Sequence, residues 1–147
     1  MGRFGMVVGL LPLCIALGMR GVTAAEVEVR TLDTGPGGVM VFDPPFVKLE
    51  PGDSIKFVPA SKGHNAESIK GMTPDGAEPF KTVVGREEVV TFKTPGVYGI
   101  KCAPHYMMGM VALVVVGDKP ANLEAAKAVT HSKLATKRFD PLFAQIQ

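Results

Sequence analysis

From residue 26 to residue 116 the chain alternates apolar and polar positions in short runs separated by turn residues. Glu26-Val-Glu-Val-Arg-Thr has a period of two, as does Phe46-Val-Lys-Leu-Glu, which Pro51-Gly52-Asp53 closes. Ser54 to Pro59 repeats the pattern with Ile55 and Phe57 on one face, and Val89 to Lys93, Val97 to Cys102 and Met110 to Val116 follow at similar spacing. Seven or so short strands at these intervals predict an all-β, two-sheet Greek-key sandwich or barrel. Residues 61–84 hold Lys62-Gly-His-Asn, Gly71, Pro74-Asp-Gly and Pro79 without a sustained strand pattern, and are expected to form the long excursion between sheets. Beyond Gly117 the pattern changes. Asn122 is placed to cap a short helix over residues 123–129, and residues 133–138 form a second helical stretch before Pro141. Both are too short to stand alone, and Leu134, Phe139, Leu142, Phe143 and Ile146 are available to dock them on the sandwich.

The N-terminus has a different organisation. Arg3 precedes an uncharged apolar stretch from Phe4 to Met19, followed by Arg20 and the small residues Thr23-Ala24-Ala25. This is the layout of a cleaved export signal, and its 16 apolar residues, broken by Pro12 and three glycines, fall short of the ~20 needed to span a bilayer. Leu13 before Cys14 does not fit a lipidation signal. The expected division is a signal over 1–24, a domain over 25–117 and a helical extension over 118–147, with cleavage after Ala24 or Ala25, the former favoured. The mature protein is then expected in the periplasm, without a membrane anchor.

Cleavage changes the composition in two ways that matter. The 147-residue chain has a formal charge of +2, but without Arg3 and Arg20 the mature part carries 14 basic and 14 acidic residues, so its charge gives no support for nucleic-acid binding. Of two cysteines only Cys102 remains. It cannot form an internal disulfide, and a free thiol in an oxidising compartment is a liability unless something uses it.

That use is suggested by the sequence Lys101-Cys-Ala-Pro-His-Tyr-Met-Met-Gly-Met, where one strand ends and the next begins. A thiolate, an imidazole and a thioether come from a single turn: Cys102, His105 and either Met108 or Met110, of which Met110 is favoured. A fourth ligand must come from elsewhere. His64 supplies it, because His131 lies in the charged C-terminal segment. One thiolate, two imidazoles and a weak thioether suit copper. Zinc gains little from a thioether, and calcium and magnesium require oxygen ligands. With four protein ligands, no second cluster and a short chain, no enzyme is expected.

The motifs Val39-Met-Val-Phe-Asp-Pro, Pro51-Gly-Asp, Lys62-Gly-His-Asn, Gly71-Met-Thr-Pro-Asp-Gly-Ala-Glu and Lys101 to Met110 resemble those of the pseudoazurins, blue copper proteins of the cupredoxin family, across essentially the whole mature chain. The resemblance implies an eight-stranded sandwich with two C-terminal helices. It also implies one type 1 copper ion, Cu(I)/Cu(II), held by His64, Cys102, His105 and Met110. The four residues between His105 and Met110 match pseudoazurin and plastocyanin rather than amicyanin. Around these ligands, Asn65 is expected to tie the His64 segment to the ligand loop and to offer its amide to the sulfur. Pro104 has no amide hydrogen to offer it. Family precedent takes electrons through the His105 ring and an apolar patch, here Met40, Pro104 and Met108.

Lys62, Lys70, Lys81 and Lys101 flank the ligand segments and give a neutral protein one basic end. Such a dipolar surface steers an acidic redox protein into transient contact. In pseudoazurins a lysine ring docks copper nitrite reductase, although Thr34 stands where the family commonly has lysine. The expected function is a monomeric one-electron shuttle, with a periplasmic copper chaperone or storage protein as the alternative.

Overall fold

The computed structural model describes residues 1–2 and 23–146; the expected export signal and Cys14 fall almost wholly outside them. Eight strands run in the order β1 (Glu26–Gly35), β2 (Gly38–Asp43), β3 (Phe46–Leu49), β4 (Ser54–Pro59), β5 (Glu67–Ser68), β6 (Glu88–Thr91), β7 (Gly96–Lys101) and β8 (Val111–Val116). They form two four-stranded sheets, ordered β2-β1-β4-β6 and β3-β8-β7-β5. The pairs β1·β4 and β3·β8 are parallel and the others antiparallel. Two helices follow, α1 (Leu123–Lys127) and α2 (Lys133–Phe143). Among the described residues no helix is long and apolar enough to cross a membrane.

The unbroken apolar run of β8 reflects burial on both faces. Ala112, Val114 and Val116 point into the core between the sheets, with Ile55, Phe57, Phe92 and Ile100. Val111, Leu113 and Val115 point the other way, into a second core closed by Ala126, Ala135, Phe139 and Leu142 of the helices. The C-terminal extension is therefore the lid of one sheet.

Several details depart from the sequence reading. The excursion over 61–84 contains the two-residue β5, held by pairing with β7 and by a bridge from Glu67 to Lys81. Asn122 does not cap α1 with its side chain; it accepts from Val97 N–H (2.8 Å) and donates to the Val97 carbonyl (2.9 Å), fastening α1 to β7. Helix α2 continues through Pro141 to Phe143 because burial of Phe139 and Leu142 outweighs one missing N–H. Its N-cap is Ser132, which accepts from Ala135 N–H at 3.2 Å. Leu134 is 52% exposed and contributes little to docking.

Candidate metal centre

The segment from Cys102 to Met110 is a closed turn between β7 and β8. Cys102 N–H donates to the Met110 carbonyl (3.0 Å), and the His105 carbonyl accepts from Met110 N–H (3.2 Å), so the end of β7, the turn and the start of β8 are fixed relative to one another. The short 3₁₀ turn over Tyr106–Met108 ends at Gly109, whose φ is 83°. A Cβ there would stand 3.0 Å from the Leu134 carbonyl oxygen of α2, so glycine serves both the backbone conformation and the close approach.

His64 comes from the loop after β4 and meets this turn across the sandwich end. Its Nδ1 lies 3.0 Å from His105 Nδ1 and 3.7 Å from Cys102 Sγ, and His105 Nδ1 lies 3.6 Å from the same sulfur. The three donor atoms fall within 4.8 Å of one another. Met110 is completely buried in the same core cluster as Cys102, at the foot of the turn. His64 and Cys102 are also buried, whereas the His105 ring is half-buried and faces the surface. Two imidazole nitrogens and a sulfur within 4.8 Å of one another, with Met110 buried in the same core cluster, fit a soft, borderline metal such as copper.

The surroundings brace the donors. Asn65 Oδ1 accepts from Ala103 N–H at 2.8 Å, joining the His64 segment to the Cys102–Met110 turn. Burial pushes the Cys102 thiol up, opposed by backbone hydrogen bonds from Asn65 and His105 to its sulfur; a bound cation would reverse the balance toward thiolate. Pro104 is exposed at the rim with Ala103, Met107 and Met108; at 71% and 45% exposure, the last two methionines are surface rather than core residues.

Three features were not found by sequence reasoning. Asp33 Oδ1 lies 2.8 Å from the outer nitrogen of His64, Nε2. Arg138 of α2 donates to the Val39 and Met40 carbonyls, each at 2.6 Å, and thereby holds Met40 in a left-handed conformation (φ 53°) against the cluster containing Cys102 and Met110. The third is a link to the C-terminal extension: Tyr106 Oη lies 2.6 Å from Nδ1 of His131, whose pKa is depressed by burial. None of these contacts joins neighbours in sequence.

The four lysines are not equivalent. Lys81 and Lys101 share Glu67, at 3.5 and 3.2 Å, and Lys101 also lies over the Tyr106 ring. Burial raises the Glu67 carboxyl, but hydrogen bonds from Lys101 and Asn65 and the two lysine charges outweigh it and hold the group below its usual value. Lys62 and Lys70 are exposed and form no ion pair among the described residues.

Known proteins share this fold. Residues 29–117 match the family model described as copper binding proteins, plastocyanin/azurin family. The chain is 64% identical to a pseudoazurin of Methylorubrum extorquens over 145 residues, covering 98% of both proteins. It is 48% identical to one of Paracoccus pantotrophus over 132 residues, 90% of each. The crystal structure of pseudoazurin from Methylobacterium extorquens superimposes with a TM-score of 0.82 at 71% identity, covering 83% of this chain and 99% of that one. A Sinorhizobium pseudoazurin gives 0.80 at 41% identity, covering 84% and 97%. With its eight-stranded sandwich, two C-terminal helices and converging soft donors, the chain belongs to the pseudoazurins, copper-binding electron carriers of the plastocyanin/azurin family rather than enzymes.

Proposed function

We propose that His64, Cys102, His105 and Met110 hold the single copper ion, and that the mature protein carries one electron at a time through the periplasm to an acidic redox enzyme such as a copper nitrite reductase. The observation that carries the ligand assignment is the convergence of two Nδ1 atoms and one Sγ within 4.8 Å, in a pocket where His64 and Cys102 are almost wholly buried. Copper in such a set supplies a one-electron couple. The chain's own contribution is rigidity. The turn is closed by backbone hydrogen bonds, braced by Asn65 and seated on the sandwich, so the donors need move little between oxidation states. His105 alone of the three convergent donors is part-exposed, and its rim of Ala103, Pro104, Met107 and Met108 is the natural place for a partner to approach. The same burial argues against the storage or chaperone alternative, which needs ligands open to exchange.

Electrostatic steering rests chiefly on Lys62 and Lys70, since Lys81 and Lys101 are partly neutralised by Glu67, and Lys62 is the one beside His64 in sequence. Mixing the reduced protein with a copper nitrite reductase in a stopped-flow instrument is expected to give rapid reoxidation that slows as salt is added. Lys62→Glu should slow it at low salt and flatten the salt dependence while leaving the colour intact. An unchanged rate at low salt removes the steering, and no reoxidation at all removes this enzyme as the partner.

Export by cleavage after Ala24 has support at the start of the fold. Ala25 N lies 2.7 Å from Oδ1 of the buried Asp53, whose other oxygen accepts from Glu50 N–H at 2.8 Å. Cleavage there would turn the Ala25 amide into an ammonium facing a carboxylate, a stronger, charge-assisted contact. The intact mass of the exported protein should correspond to a chain beginning at Ala25. A start at Glu26 would discard that contact and overturn the assignment.

A further inference from the structure

We infer that Asp33 is a positioning residue for the metal centre: its carboxylate fixes the His64 ring with Nδ1 bare toward the site, and its negative charge lowers the reduction potential. The inference rests on the ligand reading above. It starts from a contact across the molecule, Asp33 Oδ1 at 2.8 Å from His64 Nε2, between a residue near the end of β1 and the loop after β4. Both segments are tied. Asp33 N–H donates to Ser61 Oγ (3.0 Å), and Ser61 N–H donates to the Thr31 carbonyl (3.0 Å), so the parallel β1·β4 pairing continues into the loop that carries His64.

An ionised carboxylate only accepts hydrogen bonds. Set against Nε2, it requires the ring proton on that nitrogen, which leaves the Nδ1 lone pair directed at Cys102 Sγ and His105 Nδ1. The tautomer is thus selected before any metal arrives, the role that carboxylate partners of metal-bound histidines commonly play. The charge has a separate effect. A negative group at the outer edge of a ligand favours the more positive oxidised state over the reduced one, and so lowers the potential. The Asp33 side chain is 61% exposed, so this effect is partly screened and should weaken as salt rises.

Two substitutions separate the effects. Asp33→Asn keeps an acceptor oxygen but removes the charge. The copper-loaded protein should stay blue, while its equilibrium constant for reduction at low salt rises about threefold or more, on a scale where tenfold is ~59 mV. The shift should shrink in high salt. Asp33→Ala removes the acceptor as well. In the copper-free protein, ¹⁵N spectra should then show His64 losing its Nε2–H tautomer for a mixture, whereas wild type and the Asn variant retain it. An unchanged low-salt potential in a blue Asp33→Asn protein overturns the charge effect, and an unchanged His64 tautomer in Asp33→Ala overturns the positioning. A wild-type protein that takes up copper without turning blue overturns the ligand reading itself.

Discussion

Cys102→Ser is expected to abolish the intense blue colour of the oxidised copper protein and to weaken copper binding sharply. Cys102 is fully buried, with its sulfur 3.7 and 3.6 Å from the two histidine Nδ1 atoms and backbone amides of Asn65 and His105 directed at it. A serine hydroxyl fits the space but does not ionise near neutral pH and is a hard donor, so the soft member of the set is lost. Losing an outer hydrogen-bond partner of a ligand already costs about 10–100-fold in affinity or activity, and loss of the thiolate should cost at least as much. Absorption spectra and a copper titration with a competing chelator measure both. The fold should survive, because the exchange is nearly isosteric at the end of β7. A variant that remained blue would remove Cys102 from the centre.

Phe139→Ala should give the largest loss of stability, about 3–5 kcal/mol, out of a total of about 5–15 for a domain of this kind. Phe139 is 1% exposed, packs at a tilt against His131 (4.7 Å between ring centroids) and Phe143 (5.8 Å), and fills the core between α2 and the outer face of β8. Its removal leaves a cavity between α2 and β8 that the surrounding core can close only in part. Denaturant unfolding of the mature protein should show a lower midpoint with little change in slope. Cys102 and Met110 belong to the other core, between the sheets, so the folded fraction should still bind copper and turn blue. A loss below about 1 kcal/mol would mean that the C-terminal helices are peripheral to folding.

How far each part was legible depends on whether the decisive contacts are local. Cys102, His105 and Met110 lie within nine residues, and any chain turning between β7 and β8 must bring them close, so the type of chemistry could be read directly. His64, 38 positions before Cys102, was found by elimination, since only three histidines exist. Period-two alternation located most strands because a half-buried strand must show it. β2 escaped the pattern reading: the left-handed Met40 interrupts its alternation, and the strand is defined by its pairing with β1 and by the Arg138 hydrogen bonds to the Val39 and Met40 carbonyls. Two-residue β5 was too short for any periodicity to mark.

The sequence by itself determined the all-β class, the helical tail and a soft donor set containing a thiolate, because these depend on period, residue type and short spacing. Only the tertiary structure decided how the ends of distant elements meet. It placed Asp33 behind His64, divided Glu67 between Lys81 and Lys101, and made β8 the wall of two cores. The physical reason is that hydrogen bonds and ion pairs between residues dozens of positions apart leave no periodic trace in the chain. They exist only once burial of the two cores has fixed the sheets and the helices that bring those residues together.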